Sequence, residues 1–208
     1  MARRSSLVLL AAFATALSGV DAGAGGVSVP RNSIVEVGPT LAPLQHVRFC
    51  LHYPDECRSN SPDNERIDLT PASLTLLKRV NHRINASIIP ISKTYIGNLN
   101  AIWTIAPNQG DCNDYAVTKR HELLNKGLPS SALRLSVTKT AFGVGHLVLV
   151  VSTKQGDLVM DSLSDAIRSW QATDYQWLKI QSAHDPHLWV EVRSPVVLPS
   201  PFLSADKF

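Results

Sequence analysis

Cys112 lies in the stretch Gly110-Asp111-Cys112-Asn113-Asp114-Tyr115-Ala116. A glycine, a capping residue and then an apolar-periodic run place this cysteine in the first turn of a helix. First turns expose N–H groups without intrahelical partners and the positive end of the helix dipole. A thiol held there is drawn toward thiolate, the nucleophilic form. His146 opens the apolar run Leu147-Val148-Leu149-Val150-Val151, and Asp161 closes the shorter run Leu158-Val159-Met160. A thiol, an imidazole to take its proton and a carboxylate to orient the imidazole are the parts of an activated nucleophile. The backbone N–H of Cys112 would then be one donor to a tetrahedral oxyanion.

Periodicity predicts the elements that would have to hold these groups. Asp68 or Thr70 caps a helix beginning at Pro71. Leu74, Leu77, Val80, Ile84 and Ile88 recur near helical spacing, so the helix covers 71–88 and Pro90 ends it. A second helix runs from about Asp111 to Lys126, with Ala116, Leu123 and Leu124 inward and Gly127 as its stop. Leu133, Leu135 and Val137 alternate with Arg134 and Ser136, which reads as a half-buried strand. His146 to Thr153 reads as a central strand, with Lys154-Gln155-Gly156-Asp157 as its turn and Leu158 to Asp161 as its hairpin partner. Leu163 to Trp170 reads as a short helical piece, and 175–180 and 188–192 as strands. Residues 27–45 look extended and 54–66 look like a polar loop. Helices followed by antiparallel strands give an α+β domain over 27–194, with the cysteine helix packed on the sheet. A proline-containing tail covers 195–208.

One register question arises. A turn centred on Gln155-Gly156 sets Asp161 opposite Val150, about 13 Å along the strand from His146. A bulge or an asymmetric turn would have to close that distance. Asp165 stands opposite His146 in the plain register and is the alternative partner.

The chain has 208 residues, 44% hydrophobic and 18% charged, with net charge +3. This describes an ordered globular protein and gives no basic stripe for nucleic acid. No heptad or large apolar stripe calls for a stable partner, so a monomer is expected. Arg3-Arg4, the apolar run Leu7 to Ala14 and small residues from Ala16 onward read as a signal peptide over 1–22. The apolar run falls short of the roughly 20 residues a spanning helix needs. Export makes a disulfide between Cys50 and Cys57 feasible and leaves Cys112 as the odd, reactive thiol. The competing reading is a metal site using His46 and His52 with that cysteine pair. His121 faces away from the thiol's turn, and His184 and His187 flank a solvated turn.

As an ordered set, Gly110 to Val117, Leu128-Pro129, Leu133-Arg134-Leu135, His146 to Leu149 and Leu158 to Leu163 resemble the bacterial transglutaminase-like cysteine proteinases. Residues from about Val80 to Trp170 carry the resemblance. It implies a papain/transglutaminase-like fold and a Cys-His-Asp triad at Cys112, His146 and Asp161. It implies a thioester intermediate, a periplasmic or secreted setting, a protein substrate such as a surface adhesin, and for some relatives a regulatory membrane protein. Trp103 enters by analogy as the second oxyanion donor. The family also implies calcium beside the cysteine, where this chain offers Asp111, Asn113 and Asp114. Here Asn113 replaces the acidic residue that directly follows the cysteine, so the set loses one carboxylate; Asp111 serves equally as a helix cap. An amine in place of water would make the same chemistry an acyltransferase or transglutaminase-type transfer. A non-catalytic binding module retaining the fold is the reading from another class.

Overall fold

The computed structural model describes residue 30, residues 32–93 and residues 102–194. The segment read as a signal peptide and the tail from 195 lie outside the described residues. In chain order the elements are β1 (Val35–Thr40), α1 (Leu44–His52), α2 (Pro71–Ser87), β2 (Ile89–Pro90), β3 (Gln109–Gly110) and α3 (Cys112–Asn125). They continue with β4 (Leu133–Lys139), β5 (Gly145–Thr153), β6 (Gly156–Met160), β7 (Arg168–Ser169), β8 (Gln176–Gln181) and β9 (Trp189–Arg193).

The two long helices form where periodicity puts them. Thr70 caps α2, its side chain accepting from the Ser73 N–H at 3.1 Å, and Pro71 supplies a first residue that needs no donor. Gly127, at φ +81°, ends the turn after α3. Two expectations are corrected. Within the described part of 27–45, β1 is extended as expected, whereas α1 begins at Leu44. Helix α1 begins at Leu44, after Pro43, with no side-chain cap and is short, so it carries little local signal. The piece from Leu163 to Ser169 is not helical: it ends in β7, and only a single 3-10 turn begins at Trp170. The side chains of Asp161 and Ser164 accept from Leu163 and Ala166 N–H, and such local bonds compete with helix formation.

Seven strands form one sheet in the order β1-β9-β8-β4-β5-β6-β7, each pair antiparallel. On one face Leu133, Leu135, Leu147, Leu149 and Val151 pack with Leu77, Val80 and Ile84 of α2 and with Tyr115, Val117 and Leu123 of α3. On the other, Val148, Val150, Val159, Trp170, Trp177, Ile180 and Val192 form a second cluster. Strand β4 is therefore buried on both faces rather than half-buried. Its polar residues are satisfied internally: Arg134 donates to Gln181 O and to Glu36, and Ser136 donates to Lys179 O.

Cys50 and Cys57 form a disulfide, Cα–Cα 5.6 Å, which ties α1 to the turn after it. The metal reading fails there, since both sulfurs are consumed and His46 is a core residue. It accepts from the Trp189 indole N–H at 3.2 Å, and burial, aided by the Arg120 charge, pushes it down to about 3.

Lys119 of α3 is completely buried, and its Nζ has no hydrogen-bond partner among the described residues. Burial pushes this amine from 10.5 down to about 7, against the pull of Asp161 and Asp165. The unfolded chain therefore binds more protons than the native one between those values, so this group makes stability rise with pH there. Below about 7 its full penalty applies. Lys119→Met is expected to stabilise the fold by on the order of 3 kcal/mol at pH 6. The gain shrinks toward pH 10, a contrast that urea titrations at the two pH values would measure.

Candidate active site

The site is built from the start of α3. Asp111 is the cap: its Oδ1 accepts from the Asn113 N–H at 3.0 Å, and Asp114 Oδ2 accepts from the Asp111 N–H at 2.8 Å, completing a capping box. Strands β2 and β3 pair in parallel just before it, and the Ile91 N–H donates to Gly110 O at 2.9 Å. The chain is thus clamped two residues ahead of the cysteine. Gly110 is required by close approach. A Cβ there would stand 2.6 Å from Asp114 Oδ2 and 2.8 Å from Asp114 Cβ. Gly110→Ala is expected to cost about 2 kcal/mol by overpacking. Because the displaced group is the box that sets the helix start, the alkylation rate of Cys112 should fall with the melting temperature.

Cys112 is half-buried and unpaired. His146 Nε2 lies 2.8 Å from Asp161 Oδ1, and Cys112 hydrogen-bonds the same ring, which leaves Nδ1 for the sulfur. Burial alone would lower the imidazole. The hydrogen bonds and charges of Asp161 and Cys112 overcome it and raise His146 to about 9. Asp161 is buried too, which would raise its carboxyl. The partnership with His146, the Leu163 N–H and the Tyr175 hydroxyl instead hold it below its usual range. Tyr175 donates to Asp161 Oδ2 and stacks edge-on to His146, ring centroids 5.5 Å apart.

The structure answers the register question. Thr153 pairs with Gly156, Val150 with Val159 and Leu149 with Met160. The turn is therefore the two residues Lys154-Gln155, followed by Gly156 at φ +129°. Continuing this register sets Asp161 opposite Val148 instead of Val150. Asp161 thereby becomes the diagonal neighbour of His146, within reach of a long side chain. Asp165 is elsewhere: exposed, and bonded to His82 and Asn85, both at 2.8 Å.

Alternation places His146 on the sheet face of Val148 and Val150, away from α3. It meets Cys112 because it is the second residue of β5, at the end of the sheet. Two clefts open there. One, of about 280 Å³, is lined by Pro43, Gln45, Trp103, Asn113, Val137 and Leu147 together with Cys112 and His146. The other, of about 190 Å³, is lined by Ile91, Tyr115, Ser162 and Leu163 with the same Cys112 and His146. The pair thus sits where two clefts meet. A larger cavity, of about 440 Å³ around Arg134 and Ser152, is remote from the thiol. Ser152 is six residues beyond His146 on β5, roughly 20 Å away.

Trp103 lines the first cleft but is almost wholly buried, its ring 6.0 Å from His46 and 6.2 Å from Phe49. Sequence reasoning missed Gln45, whose buried Oε1 has no partner among the described residues. It also missed Tyr175, read only as the first residue of a strand, and Lys93, to which it gave no role.

The residues expected to hold calcium do not fit it. Asp114 is fully buried. Its Oδ1 accepts from the Thr104 N–H and from Lys93 Nζ, both at 2.8 Å; its Oδ2 accepts from Asp111 and lies 2.6 Å from Lys93 Nζ. Those contacts take up the four acceptor positions a carboxylate offers. Asp111 Oδ1 is engaged by the backbone and the amide nitrogen of Asn113.

A family model described as bacterial transglutaminase-like cysteine proteinase matches residues 36–196. No curated protein matches the chain. Among solved structures the chain is similar to Legionella pneumophila LapG, with 25% identity and TM-score 0.48, covering 59% of this chain and 69% of that one. The calcium-bound form of that protein gives 23% identity and TM-score 0.49, covering 64% and 77%. The EGTA-treated form gives 25% identity and TM-score 0.46, covering 59% and 69%.

Proposed function

The chain belongs to the bacterial transglutaminase-like cysteine proteinases, and on that premise we propose that it hydrolyses peptide bonds of an exported protein through Cys112, His146 and Asp161. The observation that carries this reading is the hydrogen-bonded line from the half-buried thiol through His146 to Asp161, set where two clefts meet. An extended peptide crossing the thiol would occupy one cleft on each side of its scissile bond.

His146 takes the proton of the Cys112 thiol, and the sulfur attacks the peptide carbonyl. The oxyanion is met by the Cys112 backbone N–H, which as the first residue of α3 has no intrahelical acceptor. The wall of the larger cleft offers the Gln45 carboxamide and the Trp103 indole as second donor. The imidazolium then protonates the leaving amine, and the same imidazole activates the water that cleaves the thioester. Asp161, steadied by Tyr175, keeps Nε2 protonated and directs Nδ1 at the sulfur.

The N-terminal composition supports export to the periplasm or beyond, and the Cys50–Cys57 disulfide suits an oxidising compartment. Among the described residues no helix is long and apolar enough to cross a membrane. The family resemblance supports a surface adhesin as the substrate class.

Iodoacetamide labelling at pH 7, located by peptide mapping, tests the nucleophile. Cys112 should react far faster than a free thiol, and an ordinary rate would refute the assignment. A peptide library incubated with and without a primary amine then tests the acceptor. Free carboxyl termini in both arms support hydrolysis, whereas dominant amide products would replace it with acyl transfer.

A further inference from the structure

Lys93 follows β2, and its ammonium reaches the buried Asp114 two residues after the cysteine. It lies 2.8 Å from Asp114 Oδ1 and 2.6 Å from Oδ2. The same carboxylate holds the Thr104 N–H and the Asp111 N–H, each at 2.8 Å. One carboxylate therefore joins three segments: the stretch after β2, the stretch carrying Trp103, and the cap of α3. A calcium ion bound beside an active-site cysteine would do similar work, gathering oxygen ligands from separate segments about one positive centre. It would need six to eight such ligands. Here the fully buried carboxylate is already saturated, and a calcium ion on it would face the ammonium at close range.

We propose that Lys93 supplies internally the cation that would otherwise be a divalent metal beside Cys112, so that this thiol site assembles without calcium. The proposal rests on the protease reading only for what the site does; the cation itself is tested separately. The carboxylate is fully buried, so a cation has to meet it inside the fold, and among the described residues Lys93 is the one that does. Lys93 is tethered by the chain and cannot be removed by a chelator. The charge that the family places in a dissociable ion is here covalently part of the fold. Asn113 fits the same account. With no cation to ligate, an acidic residue is not needed at that position, and its amide nitrogen donates to Asp111 Oδ1 at 3.1 Å. Lys93 is a positioning residue: it fixes the turn that presents Cys112 and does not touch the sulfur in the hydrogen bonds described.

The test uses the mature chain, stripped with EGTA and then supplied with calcium chloride. Calorimetric titration should show no calcium binding at micromolar affinity. Thermal melts should coincide within about a degree, and Cys112 alkylation should run at one rate in EGTA and in calcium. Lys93→Met should lower the melting temperature by about 10 °C, the size expected for breaking a buried pair in a chain of this length. It should also slow alkylation about tenfold in EGTA, and Lys93→Arg should restore both. Stoichiometric calcium binding by the unaltered chain, a stabilising shift in calcium, or a Lys93→Met chain that melts and labels unchanged would each overturn the proposal. If Cys112 proves unreactive in every arm, the protease reading fails, while calorimetry and melting still decide the cation.

Discussion

His146→Ala is expected to lower kcat/KM for peptide hydrolysis by about 10⁴-fold, the largest effect of any single substitution outside Cys112 itself. In the proposed mechanism the ring carries both proton transfers: away from the sulfur before attack, and onto the amine as it leaves. No other described side chain is placed to do either. His46 is a buried core residue held neutral at about 3, and His121 is bonded to Glu56. The loss should be in kcat more than KM, because the ring's work is done in the transition state. Iodoacetamide should detect the same change without a substrate, since the imidazolium also stabilises the thiolate. At pH 7 the variant's Cys112 should alkylate like an ordinary thiol. An unchanged labelling rate would show that the ring does not activate the sulfur.

Asp161→Asn should cost about 10³-fold in kcat/KM, by allowing the wrong tautomer of His146 and losing the charge behind the imidazolium. Its more diagnostic effect is on pH dependence. In the native protein His146 is raised to about 9, so the imidazolium acid remains available until pH passes that value. Activity should therefore fall on an alkaline limb near 9. Asp161 is the foremost of the interactions that raise the ring against burial. With an amide in its place that support is lost while burial and the Cys112 contact remain, and the limb should move to lower pH. Stability follows the same linkage. The raised His146 contributes stability that is complete below about 6.5 and is lost as pH climbs through about 9. The variant should lack that increment at pH 6 and approach the unaltered chain at pH 10. A pH–rate profile with its alkaline limb unmoved would remove Asp161 from its assigned place.

Much of this molecule could be read from the chain because its signals are local. Thr70-Pro71 and Asp111 mark helix starts by the hydrogen bonds their own side chains make, and Gly127 marks a stop by its left-handed backbone. The apolar run of β5 announces a central strand. Helix α1 was not legible: Leu44 to His52 has no side-chain cap, and its buried residues His46, Phe49 and Cys50 find partners on distant elements. Nor was the irregular 163–170 segment, where Asp161 and Ser164 hold the Leu163 and Ala166 N–H groups in local turns. Strand β4 looked half-buried because Arg134 and Ser136 alternate with leucines. Only the second sheet face, with Gln181 and Lys179 as acceptors, shows that these polar residues are interior.

The order and kinds of the chemical residues were fixed by the chain alone. A thiol at a helix start, an imidazole at one strand's opening and a carboxylate at the next strand's close are positions set by neighbours within a few residues. Which carboxylate meets the imidazole was decided by the fold. The two-residue turn at Lys154-Gln155 shifts the pairing so that Asp161, not Asp165, is diagonal to His146, and register depends on turn geometry that composition leaves open. That Tyr175 braces Asp161, and that Lys93 reaches Asp114, are contacts between segments 14 and 21 residues apart. Such contacts leave no periodic trace in a sequence, because they are made by the packing of elements and not by the elements themselves.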